Sequence, residues 1–291
     1  GLTEKENKVF IDTARPTFQD ELVQFFEEYI AITGDFTRIA GSRFALTPER
    51  AKGFFEFVSL ISGLPSPPAA VKGQITGPIT MGIGVKDQND RSLFYDDTLR
   101  DMLVKTISMK AYWQVESMKD LSANRIIFFD EPGIVSFGSS SFISITREQI
   151  HAVLEEVIES VHAAGGLAGI HICANGDWSL ALESSIDIIS FDAYNFFDKF
   201  ILYPDLLKKY LAAGKTIAWG IIPTGNPDDV KKESADSLVA KWREQASKVE
   251  GLGIDKKQLM AQSLITPSCG TGSLTLELAT KVLEMTKEVS E

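Results

Sequence analysis

His171 and Cys173 are the residues whose types and spacing point most directly to chemistry. They lie two positions apart at the end of an apolar run, in the segment 169–177 (GIHICANGD). If that run is a β-strand, both side chains point to the same face, because side chains alternate along a strand. The chain contains three histidines and two cysteines, so their meeting at this spacing is informative. Imidazole and thiolate together are typical ligands of zinc.

Cys269 is the other cysteine, and it follows a second apolar run, in the segment 266–272 (TPSCGTG). Its distance along the chain from Cys173 differs from the short spacings of structural zinc modules. Zinc sites assembled from distant strand ends more often leave a coordination position open for a substrate. We therefore predict a catalytic zinc site that contains His171, Cys173 and Cys269. The alternative is that both cysteines are core residues and that His171 is a satisfied polar group.

Asp192 follows the next apolar run along the chain, 186–191. An aspartate at this position has three candidate roles: a fourth metal ligand, a hydrogen-bond partner that orients His171, or a helix cap. We include Asp192 in the predicted metal site, and the other two roles stay open.

Asp130, Glu131 and Thr76 are the predicted substrate-binding residues. The two adjacent carboxylates follow a strongly apolar run, which ends at residue 129 (126–129, IIFF, and then Asp130), and Thr76 precedes Gly77 at the end of an earlier run. Carboxylates that face a pocket can bind an amine or act as acid and base. The alternative is that Asp130 accepts hydrogen bonds from loop amides, that Glu131 is solvated, and that Thr76 only ends a strand.

Short apolar runs separated by helical segments predict an α/β fold with a parallel sheet buried on both faces. Six strands are expected, at 71–75, 126–129, 168–172, 186–191, 216–222 and 260–265. The polar residues follow the carboxyl ends of these strands, which favours a (β/α)₈ barrel, where such ends meet at one rim. The two further strands are expected at 8–11 and 38–40, or upstream of residue 1. A doubly wound sheet is the alternative, and the absence of a linker predicts one domain over 1–291.

The composition limits the classes of partner. A net charge of −11 and a pI near 4.9 argue against nucleic acid and against an anionic membrane surface. No apolar run reaches the roughly 18 residues of a membrane span, and no secretory apolar region is visible. Two cysteines do not make a disulfide framework, so we expect reduced thiols and a cytoplasmic protein.

Four segments carry a resemblance to a known family: 71–78 (VKGQITGP), 129–132 (FDEP), 171–173 (HIC) and 266–270 (TPSCG). With them the chain resembles the catalytic barrel of cobalamin-independent methionine synthase, within the wider group that includes uroporphyrinogen decarboxylase and corrinoid-dependent methyltransferases. The resemblance implies a (β/α)₈ barrel in which His171, Cys173 and Cys269 hold a catalytic zinc ion. It places Asp192 where the family has a glutamate ligand. It also implies that the zinc activates a thiol for methylation, as in methionine biosynthesis, and that Asp130 contacts the amino group of homocysteine.

Two of the chain's departures from the folate-using members of this family bear on the methyl donor. The segment 133–136 (GIVS) lacks their acidic pterin-binding residue, and 222–225 (IPTG) lacks their acid-donating histidine. Demethylation of a folate needs that proton, because the amine is a poor leaving group, whereas a methyl-cobalt donor does not. We therefore expect a methylcorrinoid donor, either methylcobalamin or a corrinoid protein.

The expected acceptor is a small-molecule thiol, with homocysteine favoured and coenzyme M or another thiol as the alternative. Two other interpretations stay open. One is a metal-free enzyme like uroporphyrinogen decarboxylase, which would use Arg15, Arg38 and Arg43 to bind propionates. The other is a non-catalytic module that binds a thiol or a corrinoid protein.

Overall fold

The computed structural model describes residues 2–5, 8–138, 142 and 144–291. In this part of the chain eight β-strands are present. They are β1 Leu2–Lys5, β2 Lys8–Ile11, β3 Val71–Thr76, β4 Arg125–Asp130, β5 Leu167–Ile172, β6 Ile188–Phe191, β7 Thr216–Ile222 and β8 Ser263–Pro267.

Twelve α-helices alternate with these strands over the same described residues. They are α1 Phe18–Gly34, α2 Lys52–Ser62, α3 Pro78–Gly84, α4 Asp97–Ser117, α5 Arg147–Ala163, α6 Ser179–Leu182, α7 Ala193–Phe200, α8 Pro204–Ala212, α9 Pro227–Lys232, α10 Ala235–Glu250, α11 Lys256–Ala261 and α12 Leu276–Ser290. None of the helices in the described ranges combines the length and the apolar character that crossing a bilayer requires.

The chain divides into two compact units, of which the first comprises Gly1–Gly133 and Gly138–Ala168. In this unit β1 and β2 form an antiparallel pair, whereas β3 and β4 are parallel. The β3–β4 register places Thr76 beside Asp130, so the two residues lie level at the carboxyl ends of their strands. Gly73 lets helix α4 approach β3 closely, because a Cβ atom there would lie 2.5 Å from Oε1 of Gln114.

The second unit comprises Ile134–Phe137 and Gly169–Glu291, and four parallel strands run through it in chain order, β5 to β8. Strands β5 to β7 are mostly buried, as expected for parallel strands that are covered on both faces, whereas β8 is only partly buried. Aromatic side chains fill the core next to β6 and β7. Phe191 stacks on Phe200 at a centroid distance of 4.1 Å and lies edge-on to Trp178. This packing fixes the end of β6 that precedes Asp192.

The predicted α/β fold with parallel strands is confirmed, and each of the six expected strands overlaps an observed one. The last strand begins later than expected, since residues 259–261 complete helix α11. Of the two further strands expected, 8–11 is observed as strand β2, which pairs antiparallel with β1, whereas 38–40 was wrongly predicted as a strand and lies in the 3₁₀ helix Phe36–Gly41.

Candidate metal centre

His171 and Cys173 occupy the carboxyl end of β5. Ile170 and Ile172 are 1% exposed and fill the core on one face, so the pleat turns His171 to the other face, where it is half-buried. In the β5–β6 register His171 lies directly opposite Ser190. Cys173, also half-buried, continues the alternation one residue after the strand ends.

Cys269 lies on the loop that follows β8, and two buried hydroxyl groups fix the base of this loop. The backbone N–H of Ser268 donates to the carbonyl of Ile222 at 2.8 Å. The Ser268 hydroxyl accepts from the N–H of Thr224 at 3.1 Å and lies 3.0 Å from the Thr224 hydroxyl. Both side chains are at most 2% exposed, whereas Cys269 is exposed. The loop therefore presents a solvent-accessible thiol from a rigid base.

The structure brings His171, Cys173 and Cys269 together, with one ligand atom of each within 4.8 Å of the others. No other group of three or more such ligands is found among the described residues. A tetrahedral zinc ion keeps nitrogen and sulfur ligands roughly 3.3–3.8 Å apart, so a small contraction would suffice to hold one. Both thiols are free, and the set of one imidazole and two thiols matches the ligand preference of zinc.

The electrostatics of this centre also favour a cation. Burial raises the pKa of the Cys173 thiol, and the neighbouring Cys269 and the carboxylate of Asp192 raise it further. Thiolates and a carboxylate that are this close destabilise one another until a positive charge is present. A bound divalent cation would reverse the effect and deprotonate the coordinating thiols.

Asp192 is close enough to influence Cys173 but is not one of the three clustered residues. Its carboxylate caps α7: Oδ1 accepts from the backbone N–H of Asn195 at 2.9 Å, and Oδ2 accepts from Nδ2 of the same residue at 2.8 Å. Of the three roles considered from the sequence, the helix cap is the one that the geometry shows. Direct ligation by Asp192 stays a prediction.

Ser190 contacts His171, and sequence reasoning missed this contact. Its hydroxyl lies 3.0 Å from Nδ1 of His171, and its side chain is 5% exposed. The contact depends on the register between β5 and β6, which the sequence does not specify. The only local signal is one hydroxyl residue inside the apolar strand IISF.

Asp130 and Thr76 lie in the first unit, side by side at the ends of β4 and β3. Asp130 is half-buried, and its Oδ2 accepts from Nε2 of Gln74 at 3.3 Å. Burial raises the pKa of Asp130, and the nearby ammonium group of Lys72 opposes this shift. A partly desolvated carboxylate at a strand end is suited to bind a cationic group.

Glu131 has a different environment from the one that its predicted substrate contact requires. It is 0% exposed, and its two oxygens accept from the N–H of Ile79 at 2.8 Å, the N–H of Thr80 at 2.8 Å and the hydroxyl of Thr80 at 2.6 Å. A Cβ on Gly77 would overlap the Glu131 carboxyl group. Burial raises the pKa of Glu131 to about 7 despite these hydrogen bonds. The geometry therefore gives Glu131 the role of binding the N-terminus of α3.

Comparison with known proteins shows the fold. No protein-family model and no curated protein sequence matches the chain. Among solved structures it is similar to a B12-independent methionine synthase from Shewanella sp. W3-18-1 in complex with selenomethionine, with a TM-score of 0.55 and 19% identity over 81% of this chain and 65% of that one. It is also similar to a methyltransferase from Methanosarcina mazei, with a TM-score of 0.50 and 15% identity over 82% of this chain and 64% of that one.

The chain spans just under two thirds of the length of each of these structures. At these identities the likeness is one of fold. The two structures show that the chain shares its fold with a methionine synthase and with a methyltransferase, which agrees with the fold that the sequence motifs predict.

Proposed function

We propose that the chain carries the catalytic centre of a zinc-dependent methyltransferase that transfers a methyl group from a methylcorrinoid to a thiol. The observation that carries this proposal is the cluster of His171, Cys173 and Cys269, whose ligand atoms lie within 4.8 Å of one another. The fold shared with a methionine synthase and a methyltransferase supports it. We further propose that the six parallel strands belong to a (β/α)₈ barrel and that the protein acts in the cytoplasm, where thiols stay reduced.

The three residues have different roles in the proposed centre. His171 and Cys173 are fixed by β5, whereas exposed Cys269 forms the side that a substrate can approach. Zinc bound here would keep an acceptor thiol deprotonated at neutral pH, and the thiolate is the nucleophile. The nearby carboxylate of Asp192 adds negative charge, which retains the cation, and we propose it as a further ligand.

Homocysteine is the acceptor that we favour, with methionine as the product. Asp130 supports this choice because its half-buried carboxylate suits an ammonium group, and Thr76 lies beside it. A sulfonate such as that of coenzyme M would be repelled by the same carboxylate. The Shewanella structure was solved in complex with selenomethionine, an α-amino acid of the size of the proposed product.

A methylcorrinoid is the donor that fits the residues present. The segment 222–225 offers Thr224 where folate-using enzymes have a proton-donating histidine, and Thr224 is 1% exposed with its N–H and hydroxyl directed at Ser268. It is therefore not placed to protonate a leaving amine. A cobalt–carbon bond releases its methyl group without that proton, so free methylcobalamin or a separate corrinoid protein is the proposed partner.

The test is a methyl-transfer assay with methylcobalamin and homocysteine, coenzyme M or 2-mercaptoethanol, on the zinc-loaded chain and after chelation. We expect one zinc ion per chain and transfer to homocysteine that chelation abolishes. Cys269→Ser should lose both zinc and activity, whereas His151→Ala, which removes an exposed imidazole on α5, should lose neither.

Each contrary result selects one of the other interpretations. A chain that binds zinc but demethylates the donor with none of the thiols is a binding module. A chain that binds no zinc contradicts the proposal and leaves the interpretation as a metal-free enzyme like uroporphyrinogen decarboxylase. Preferential methylation of coenzyme M would retain the chemistry and replace the acceptor.

A further inference from the structure

Ser190 is a buried polar residue in a strand that is otherwise apolar. Strand β6 reads IISF, all four residues are buried, and the Ser190 side chain is 5% exposed. A buried hydroxyl group without a hydrogen-bond partner costs free energy, so its partner is informative. That partner is Nδ1 of His171, 3.0 Å from the hydroxyl oxygen.

The contact is rigid because the sheet sets it. His171 and Ser190 are direct neighbours in the parallel β5–β6 register, and both point to the same face. Serine has a single side-chain torsion, so its side chain loses little conformational freedom when it makes this contact. The other candidate partner from the sequence, Asp192, uses both carboxylate oxygens on Asn195.

From this geometry we infer that Ser190 is a positioning residue of the metal centre: its hydroxyl holds the His171 ring in the tautomer with hydrogen on Nδ1, so that Nε2 binds the metal. The inference rests on the zinc site of the proposed function. A neutral imidazole carries one N–H, and a metal-bound histidine donates its other ring N–H to an oxygen, which fixes the ring orientation. The Nδ1–H donates to Ser190 Oγ, and the lone pair on Nε2 serves the metal.

A neutral hydroxyl partner suits the charge of this centre. Zinc with two thiolates and a neutral imidazole has no net charge, and the carboxylate of Asp192 already lies near Cys173. A carboxylate in place of Ser190 would add further negative charge and weaken the ability of the metal to activate an incoming thiol. The hydroxyl orients the ligand without that cost.

The experiment measures zinc affinity by competition with a chromophoric chelator on the full chain. Ser190→Ala removes the hydroxyl, and Ser190→Thr retains it on a β-branched residue that suits a strand. Ser184→Ala is the matched control, because Ser184 is equally buried at 5% exposed and its hydroxyl donates to the Ala181 carbonyl at 2.8 Å. We expect the zinc Kd to rise about 10- to 100-fold in Ser190→Ala. It should stay near the wild-type value in Ser190→Thr and Ser184→Ala.

A second readout follows the tautomer directly. In ¹⁵N-labelled zinc-loaded protein, long-range ¹H–¹⁵N spectra should show His171 protonated at Nδ1 and metal-bound at Nε2, with this state mixed or lost in Ser190→Ala. Zinc bound through Nδ1 overturns the inference, as does a Ser190→Ala variant with the wild-type Kd. If Ser190→Ala does not fold, the inference is tested by the tautomer of His171 in the wild type and by the zinc Kd of Ser190→Thr.

The inference and the proposed function fail in different ways. Zinc binding that depends on Ser190, without methyl transfer to any thiol, contradicts the function and supports the inference. If the chain transfers methyl groups and its zinc affinity does not change when Ser190 is replaced, the function is supported and the inference is contradicted. A wild-type chain that binds no zinc overturns both.

Discussion

Replacing Glu131 with glutamine retains the shape of the side chain and removes one acceptor from a buried carboxylate. In the wild type the carboxylate accepts from the N–H groups of Ile79 and Thr80 and from the Thr80 hydroxyl. The glutamine carbonyl can serve the two donors of Thr80. Its NH₂ group then faces the N–H of Ile79, and two donors cannot bond to each other.

The expected loss follows from this orphaned donor. At pH 5 the carboxyl group of Glu131 is neutral, but its second oxygen still has a lone pair that accepts from the Ile79 N–H, whereas the amide NH₂ has none. A buried N–H without an acceptor costs about 1–3 kcal/mol, so the free energy of unfolding of Glu131→Gln should fall by about that amount near pH 5. The loss depends on pH because burial raises the pKa of Glu131 to about 7, above its usual 4.5. Between these values the folded chain keeps a proton that the unfolded chain releases, so wild-type stability decreases as the pH rises. The decrease amounts to about 3 kcal/mol by pH 7–8, and the glutamine variant lacks this contribution.

The assay is urea unfolding followed by circular dichroism from pH 5 to pH 8. Glu277→Gln is the control, since Glu277 also lies in the first turn of a helix, α12, but is exposed. The control should stay within about 0.5 kcal/mol of the wild type at every pH. A Glu131→Gln variant that is as stable as the wild type at pH 5 would refute the role at α3. A difference that does not change between pH 5 and pH 8 would refute the elevated pKa.

Three further predictions concern the two groups of candidate residues. In the methyl-transfer assay, Asp130→Asn should raise the KM for homocysteine about 10- to 100-fold and should change the KM for a thiol that lacks an amine very little. Equal increases in the KM of both thiols would exclude a contact between Asp130 and the ammonium group. Gly77→Ala should lower the free energy of unfolding by about 1–3 kcal/mol, because the new methyl group overlaps the carboxyl group of Glu131, and urea unfolding at the wild-type midpoint would contradict this. Hydrogen peroxide should convert Cys173 and Cys269 of zinc-free protein into an intramolecular disulfide with release of water, which peptide mass mapping would detect. Zinc should protect both thiols from this oxidation. Separate sulfinic acids in place of a cross-link would contradict the proximity of the two thiols.

The central strands were predictable because each is an apolar run bounded by helix and turn signals. The alternation that turned His171 and Cys173 to one face also follows from the sequence. The start of β8 was harder to place, since helix α11 runs to Ala261 and the strand begins at Ser263 with no turn residue between them. Apolar side chains suit either element there, so packing decides the boundary.

The contacts that organise the candidate site depend on pairs of residues that are distant in sequence. The partnership of Ser190 with His171 needs the strand register, and that of Ser268 with Thr224 needs two loops to meet. For Glu131, by contrast, the sequence did contain the information that was needed. Its position after Asp130 suggested a shared role, although adjacent residues at a strand end point to opposite faces. Strand alternation, extended by one residue past Asp130, places the side chains of Asp130 and Glu131 on opposite faces and therefore predicts different roles for them.

The placement of Cys269 has a consequence for metal exchange. His171 and Cys173 are set by a buried strand, whereas Cys269 stands exposed on a loop whose base Ser268 and Thr224 hold by hydrogen bonds. The exposed thiol is the member of the proposed ligand set that solvent reaches most easily. If the centre binds zinc as proposed, the ion would enter and leave on the side of Cys269, so the accessibility of this loop would set how fast the chain exchanges metal with its surroundings.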